Sequence, residues 1–393
     1  MKNKSIQSWD NSRLSSLFDS SASIDIIGLN SGTSGDGLDV ALVRFASKKQ
    51  LQILLAKTFP YPENLRDRII AAGESEFTDG IRWLELDAEL GILTGKLTKK
   101  FISKASTFNS KPRLIASHGQ TVRHLSSHGK NVLTLQIGEP AYIARATGLP
   151  VISDFRRSDL AAGGEGAPLS PVLHQRLFSH QSKWRAIVNI GGIANITILP
   201  PPRSRYHPLA ADCGPGNMLI DMATNRLFGK SFDRNGQMAL RGHADDLVVA
   251  QAMNLPFFNK RPPKSTGREL FGDLFLTDVL DNMKDTSKEN IISTVSEITV
   301  TGISDFIARF GWKVEEIYLC GGGARNRFIL SRLAEIFPKK VISTTATLGY
   351  DPDNLEAVLW AFMAYQFVIG NPINTRYFTG AKRPYIPGKL CSP

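Results

Sequence analysis

Glycine-rich turns close strand-like runs at three places in this chain: SGTSGDG from residue 31, DCGPGN from residue 212 and CGGGARN from residue 320. Each follows a run of apolar residues, so each marks a point where a strand ends and the backbone turns tightly. Glycine lets main-chain N–H groups close on anionic oxygens, and a helix starting after such a turn adds its dipole. One glycine turn is ordinarily just a turn. Three in one chain, two of them beside an aspartate, point to a phosphate-bearing ligand. None has the spacing GxxxxGKS/T or sets up a convincing GxGxxG fingerprint, which disfavours P-loop and Rossmann chemistry.

The surroundings of these turns repeat one theme. Ile24, Ile26, Ile27 and Leu29 lead into the first turn, and ALVRF (41–45) follows as a second strand. AIVNIGGIANITIL (186–199) is again strand, double-glycine turn, strand, and ADCGPGNMLIDMATNRLF (211–228) is a glycine turn feeding an amphipathic helix. EEIYLCGGGARN (315–326) adds a further strand, turn and helix start. Such an echo predicts two related α/β domains with a ligand between them. Helical spacing of Trp83, Leu86, Leu90, Leu93 and Leu97 predicts a helix within 81–101, RLIASHGQT (113–121) reads as a buried strand, and Leu355, Val358, Leu359, Phe362 and Met363 predict a buried helix within 355–369. DFRRSDLAAGGEGAPL (154–169) and RPPKSTGREL (261–270) read as loops, the first of them the domain boundary. Domain I is therefore expected at 24–153, joined by 374–393, and domain II at 154–373.

A chain of 393 residues with 42% hydrophobic and 21% charged residues is long enough for two packed domains and excludes a disordered or fibrous protein. The net charge of +11 admits nucleic acid, membranes or small anions, but the basic residues fall in scattered pairs such as Lys48-Lys49 and Lys339-Lys340, which favours a solvated surface. Cys213, Cys320 and Cys391 have neither disulfide nor zinc spacing, which fits a reducing compartment. Residues 1–23 hold eight serines and no apolar signal core, and read as a mobile tail. No spanning segment is expected, the stretch 355–369 being too short.

Each candidate residue carries two readings. Ser31, Thr33 and Ser34 offer hydroxyls and Asp36 and Asp39 offer carboxylates for Mg²⁺, directly or through water, but Asp36-Gly37 is also an ordinary hairpin turn. Asp212, before Gly214-Pro215-Gly216-Asn217, stands where a general base would face a ligand, or is a turn-capping aspartate. His118 lacks HxxxH spacing and reads by default as a satisfied strand-end histidine, and Glu356 as a first-turn acid answering a helix dipole.

Taken together, SGTSGDGLDV (31–40), ASHGQT (116–121), LQIGEP (135–140), SDFRRSDLAAGGEGAPL (153–169), NIGGIANIT (189–197), DCGPGN (212–217), PPKSTGRE (262–269) and CGGGARN (320–326) resemble the anhydro-N-acetylmuramic acid kinase family, from residue 24 to the C-terminus. The resemblance implies an α/β fold of two ribonuclease-H-like domains, of the actin, Hsp70 and sugar-kinase type, with ATP in an interdomain cleft. It also implies opening of a 1,6-anhydro sugar by water and phosphorylation of its 6-oxygen with ATP and Mg²⁺, in cell-wall recycling. By the same resemblance Gly32, Thr33, Ser34, Gly35, Asp36, Gly37, Leu38 and Asp39 form the phosphate-binding hairpin, with Asp36 on Mg²⁺. Asn189, Gly191, Gly192, Gly214, Gly216 and Asn217 belong to the nucleotide site, and Gly321, Gly322 and Gly323 lie near adenine and ribose. Asp212 is the implied base and Glu356 an acid of the sugar pocket, with His118, Gln120, Thr121, Gln136, Arg156 and Asp159 facing the sugar. Asn30, where a Met is usual, Gly35 and Glu165 depart from the family pattern, and Asn30 is also similar to levoglucosan kinases. The opposing class is a non-catalytic, actin-like nucleotide-binding protein. A cytoplasmic homodimer acting on a small anhydrosugar, with no nucleic acid or membrane partner, is expected.

Overall fold

The computed structural model describes residues 23–32, 35–47, 50–73, 80–125, 132–262 and 264–393. Residues 1–22 of the expected serine-rich tail, and Thr33 and Ser34 of the first turn, lie outside the described residues. The chain divides into two compact units, the first being the chain up to Ala167 with Glu356–Arg376 and Gly380–Pro393, the second Pro168–Leu355 with Tyr377–Thr379.

The N-terminal part of the first unit runs β1 (Ile24–Ser31), β2 (Gly37–Ser47), β3 (Gln50–Pro60), α1 (Glu63–Gly73), α2 (Gly80–Ile102), β4 (Leu114–Leu125), β5 (Leu133–Ile137), α3 (Pro140–Thr147), β6 (Val151–Ser153) and α4 (Phe155–Ala161). The second unit runs α5 (Ser170–Phe178), β7 (Arg185–Ile190), β8 (Ile193–Leu199), β9 (Leu209–Pro215), α6 (Asn217–Phe228), α7 (Asp246–Met253), α8 (Asp273–Asn282), α9 (Lys288–Phe310), β10 (Glu316–Cys320), α10 (Arg327–Ile336) and β11 (Val341–Thr344). The chain then returns to the first unit through α11 (Leu355–Val368) and β12 (Lys389–Cys391).

Among the described residues the first unit carries a seven-stranded sheet of order β12-β6-β4-β1-β2-β3, with β5 on β4, and the second a five-stranded sheet of order β11-β10-β7-β8-β9. In both, three antiparallel strands are followed by two added parallel on the far side of the first. The echo seen in the sequence is thus one ribonuclease-H-like topology used twice. All eight residues of β1 are buried, as suits an Ile-rich strand with neighbours on both edges. Gly28 lets α11 lie directly on β1, since a Cβ there would stand 1.8 Å from the Ala357 carbonyl oxygen. Strand ends, turns and the first turn of α11 thereby meet at one end of the first unit's sheet.

Three expectations need correction. The segment 154–169 is not wholly a loop, because α4 lies within it, and buried Asp159 bonds Thr375 and Tyr385, so the unit boundary falls after Ala167 rather than Ser153. The crossing back to the first unit comes at Glu356 rather than 374, because α11 packs on β1. Among the described residues, α9 is long and apolar enough to cross a bilayer by length and composition, where no such segment was expected; 78% of its apolar window is buried, as in a core helix, and it packs on β9, α6, α7 and α10.

Candidate active site

The β1–β2 turn is braced from below. Gly35, with φ of +61°, donates its N–H to the Gly32 carbonyl at 3.0 Å, and the Asp36 carbonyl accepts from Tyr61 N–H at 2.9 Å. Ser31 Oγ donates to Gln120 Oε1 at 2.5 Å and lies 3.2 Å from the Gly37 carbonyl oxygen, while Gln120 Nε2 donates to the Gly32 carbonyl at 3.1 Å. Gln120, expected to face the sugar, is buried and spends its amide on this turn. Leu38 is likewise a core side chain.

Beside the turn stand exposed Asp36, half-buried Asp39 and exposed Glu356 at the start of α11. Burial pushes the Asp39 carboxyl up to about 6; the Glu356 and Asp36 charges add to the rise, and hydrogen bonds from Thr58, at 2.6 Å, and Asn30 oppose it. Asn30, only 3% exposed, bridges two residues of α11: Nδ2 donates to Glu356 Oε2 at 2.7 Å, and Oδ1 accepts from Trp360 Nε1 at 2.9 Å. Sequence reasoning marked Asn30 only as a departure and missed Trp360, whose partners lie over 200 residues away in the chain.

The Trp360 ring stacks on His118, with centroids 4.2 Å apart, and packs against Phe155. Arg156 Nε donates to His118 Nε2 at 2.8 Å, so that nitrogen is unprotonated and Nδ1–H donates to the Gly119 carbonyl at 2.9 Å. Burial, reinforced by the Arg156 charge, holds the His118 imidazole well below its ordinary pKa, a neutral ring with a fixed tautomer. Arg156 also donates Nη1 to the Gly166 carbonyl at 3.0 Å. Asp159 is fully buried, accepting from Gly166 N–H at 2.7 Å, Thr375 Oγ1 at 2.6 Å and Tyr385 O–H at 2.8 Å, so its contribution is to anchor the Arg156 loop. Thr121 and Gln136 meet across the β4–β5 pair, with Gln136 Nε2 donating to Thr134 Oγ1 at 2.8 Å and Thr121 Oγ1 at 3.3 Å.

In the second unit the glycine turns interlock. Gly216, Asn217 and Met218 N–H groups donate to the carbonyls of Gly192, Gly191 and Gly192 at 2.9, 2.8 and 3.2 Å, which occupies the first amides of α6 inside the protein. Asn217 Nδ2 donates to the Ile190 carbonyl at 3.0 Å. A Cβ on Gly216 would stand 2.3 Å from the Gly191 carbonyl oxygen, and one on Gly321, whose φ is +77°, 2.4 Å from Asn189 Oδ1. Gly216 is required by backbone approach, and Gly321 by its left-handed backbone together with the Asn189 side chain and the Ile190 carbonyl. Gly322 and Gly323 stand against the Asn217 side chain, whereas Gly214 faces the Phe258 ring and Gly302. Past Gly321–Gly323, at the ends of β10 and β11, opens a cleft of about 600 Å³ lined by Arg325, Thr344, Ala346, Tyr350, Asp351 and Pro352. Strand carboxyl ends are where open α/β sheets take ligands.

Asp212 lies on β9 before the second turn. Its Oδ2 accepts from Thr266 N–H at 2.9 Å, and its own N–H donates to the Lys264 carbonyl at 3.1 Å. Burial raises its carboxyl from 3.8 to about 7; Glu269 adds to the rise, and the Thr266 bond and the Lys264 charge oppose it. A carboxylate that takes a proton near neutral pH has the basicity wanted of a general base. Sequence reasoning missed Lys264 and Thr266, which it left in a connecting loop; their clustering with Asp212 is a long-range contact without a local pattern.

A family model described as anhydro-N-acetylmuramic acid kinase matches residues 24–392. The chain is similar to the anhydro-N-acetylmuramic acid kinases of Bacillus cereus, 39% identical over 379 residues with 94% of this chain and 99% of that one covered, and Shewanella oneidensis, 40% identical over 365 residues with 92% and 97% covered. The protein of the same name from Coxiella burnetii is 39% identical over 366 residues, covering 93% and 96%. Matched along both units, the chain is an enzyme of this sugar-kinase class and belongs to the anhydro-N-acetylmuramic acid kinase family.

Proposed function

We propose that the protein uses ATP to open 1,6-anhydro-N-acetylmuramic acid with water and to phosphorylate the freed 6-oxygen, giving N-acetylmuramic acid 6-phosphate in cell-wall recycling. The observation that carries the reading is Asp212, a carboxylate held by a main-chain N–H and poised near neutral pH. In the proposed reaction Asp212 takes a proton from the attacking water, whose oxygen bonds to C1. The C1–O6 bond breaks, O6 attacks the γ-phosphorus, and ADP departs. Phosphoryl transfer asks mainly for positioning and neutralised charge.

The sugar is assigned to Glu356, His118 and Arg156. Glu356 is oriented by Asn30, and His118 presents a neutral ring fixed between Trp360 and Arg156. Gln120 is committed to Ser31 and Gly32, whereas Arg156, with Nε on His118 and Nη1 on Gly166, still has Nη2 to offer the lactyl carboxylate, beside exposed Arg157. The cleft beyond Gly321–Gly323 has a volume in the range that holds a nucleoside. Asp36 and Asp39 are hard oxygen donors whose charges repel each other, which suits Mg²⁺ held by one or two carboxylates plus phosphates. Bound there, the ion would neutralise phosphate charge. Asn30, the residue behind the levoglucosan alternative, spends Nδ2 on Glu356 and Oδ1 on Trp360, and comparing the two sugars as substrates decides between the readings.

ADP release coupled to a colour reaction tests this directly. Turnover with the anhydromuramic sugar is expected, with kcat/KM at least about 10²-fold above levoglucosan, because the analogue leaves charged hydrogen-bonding groups unpaired. No turnover with any 1,6-anhydro sugar would overturn it.

A further inference from the structure

The segment around Lys264 lacks regular structure and reads in the sequence as a connection, yet it grips Asp212 at two points, through the Lys264 carbonyl and the Thr266 N–H. What moors it is the Lys264 side chain. Its Nζ donates to the carbonyls of Phe257 at 3.1 Å and Phe258 at 3.2 Å and lies 4.4 Å from the centroid of the Phe257 ring, with Phe258 and Phe306 further round. Arg309 of α9 donates to the same Phe258 carbonyl at 3.2 Å, so the anchoring turn is itself tied to the core. An ammonium placed over aromatic faces and two carbonyls has a defined seat, and its position fixes the main chain that follows.

We propose that Lys264 is a positioning residue for the base: seated on the Phe257–Phe258 turn, it holds the 264–266 main chain against Asp212 and keeps a positive charge beside that carboxylate. This rests on Asp212 being the base of the proposed reaction. Two consequences separate the role from mere packing. The Thr266 N–H holds Oδ2 and so selects the rotamer in which the other oxygen is presented to the attacking water. The Lys264 charge favours the ionised carboxylate, against burial and Glu269. The charged and titratable groups around this pair are Glu269 in the short helix Arg268–Phe271 that follows, Cys213 on β9, and Asp305 and Arg309 on α9.

The test is the pH dependence of kcat for the full chain with ATP and the anhydro sugar. Lys264→Met keeps an apolar side chain against the phenylalanines and removes the charge. Its acid limb is expected to move up by about half to one pH unit, with kcat at pH 7 down about two- to sixfold and KM for ATP unchanged within about twofold. Glu269→Gln removes the opposing charge, and its acid limb is expected to move down. Lys264→Arg is expected to restore the limb to its wild-type place. In an Asp212→Asn background Lys264→Met is expected to bring no further loss. Unmoved limbs in both charge variants, or an equal Lys264→Met loss on top of Asp212→Asn, would overturn the proposal. Wild-type turnover by Asp212→Asn would instead overturn the reading of the base. Glu269→Gln keeps the question open to refutation even if Lys264→Met does not fold.

Discussion

Gly28 is where the active end of the first unit can be broken by one methyl group. In Gly28→Ala the new Cβ would meet the Ala357 carbonyl oxygen at 1.8 Å, its carbon at 2.8 Å and the Ala361 nitrogen at 3.0 Å, all main-chain atoms of α11. To reach even a 3.0 Å contact the helix must retreat about 1.2 Å from β1. That displacement carries Glu356 and Trp360 with it and pulls their 2.7 and 2.9 Å bonds to Asn30 beyond hydrogen-bonding reach. Overpacking costs ~1–3 kcal/mol and each lost side-chain bond ~1 kcal/mol, so the first unit is expected to lose about 3–5 kcal/mol. Urea unfolding measures it, with kcat read on the fraction still folded, where at least about a tenfold loss is expected from a ~1 Å misplacement of Glu356, the acid proposed to hold the sugar. Gly80→Ala, where nothing among the described residues lies within 4 Å of the new atom, is the control. Equal stability and equal kcat in the two variants would refute the argument that backbone approach at Gly28 sets the site.

Asp212→Asn is expected to lower kcat by about 10²–10⁴ while leaving nucleotide affinity intact, measured by single-turnover kinetics and titration calorimetry. The wild-type acid limb of kcat is expected near pH 7, since Asp212, as the proposed base, has to be ionised. The same variant bears on stability. Because the folded carboxyl is raised from 3.8 to about 7, the native state holds the proton longer, and stability is lost as pH rises between those values. Asp212→Asn should therefore melt above the wild type at pH 8.5, with the difference vanishing toward pH 4, by calorimetry. Asp36→Asn is expected to weaken ATP binding in the presence of Mg²⁺ by about tenfold and leave it unchanged in EDTA, by equilibrium titration.

The glycine turns were legible because each obeys a local rule, and the strands around them were legible because apolar runs bounded by glycine have few other solutions. The doubled topology followed from those runs alone. What escaped was non-local. The helix α4 hides in FRRSDLA, seven residues whose helical state is fixed by Phe155 and Asp159 docking into the first unit. The core helix α9 has Ser293, Thr294, Ser296 and Thr299 buried among its apolar residues, which blurs the stripe that usually betrays an amphipathic helix. Asp212 could be picked out by its place at a strand end, but the Lys264 seat could not, since the rings that form it come from two separate elements. Gln120 and Asp159 were assigned to the sugar by the family resemblance, and nothing local in the sequence shows that their side chains are spent inside the protein. Their partners, Ser31, Gly32, Thr375 and Tyr385, lie 88 to 226 residues away in the chain.

The first unit is written in separated stretches, with the second unit, Pro168–Leu355, between them. On the ribosome, β1 to β6 therefore emerge long before α11, which covers Gly28, and β12, which closes the β6 edge. Synthesising the roughly 190 intervening residues at ~5–20 residues per second leaves that sheet half covered for about 10–40 s. The second unit, nearly continuous in sequence, is free to fold while the first waits, which reverses the usual N-terminal-first order. A premature stop shortly before residue 356 would accordingly release a folded second unit tethered to an N-terminal sheet with a bare apolar face and an unpaired edge, a substrate for chaperones and proteases rather than half an enzyme.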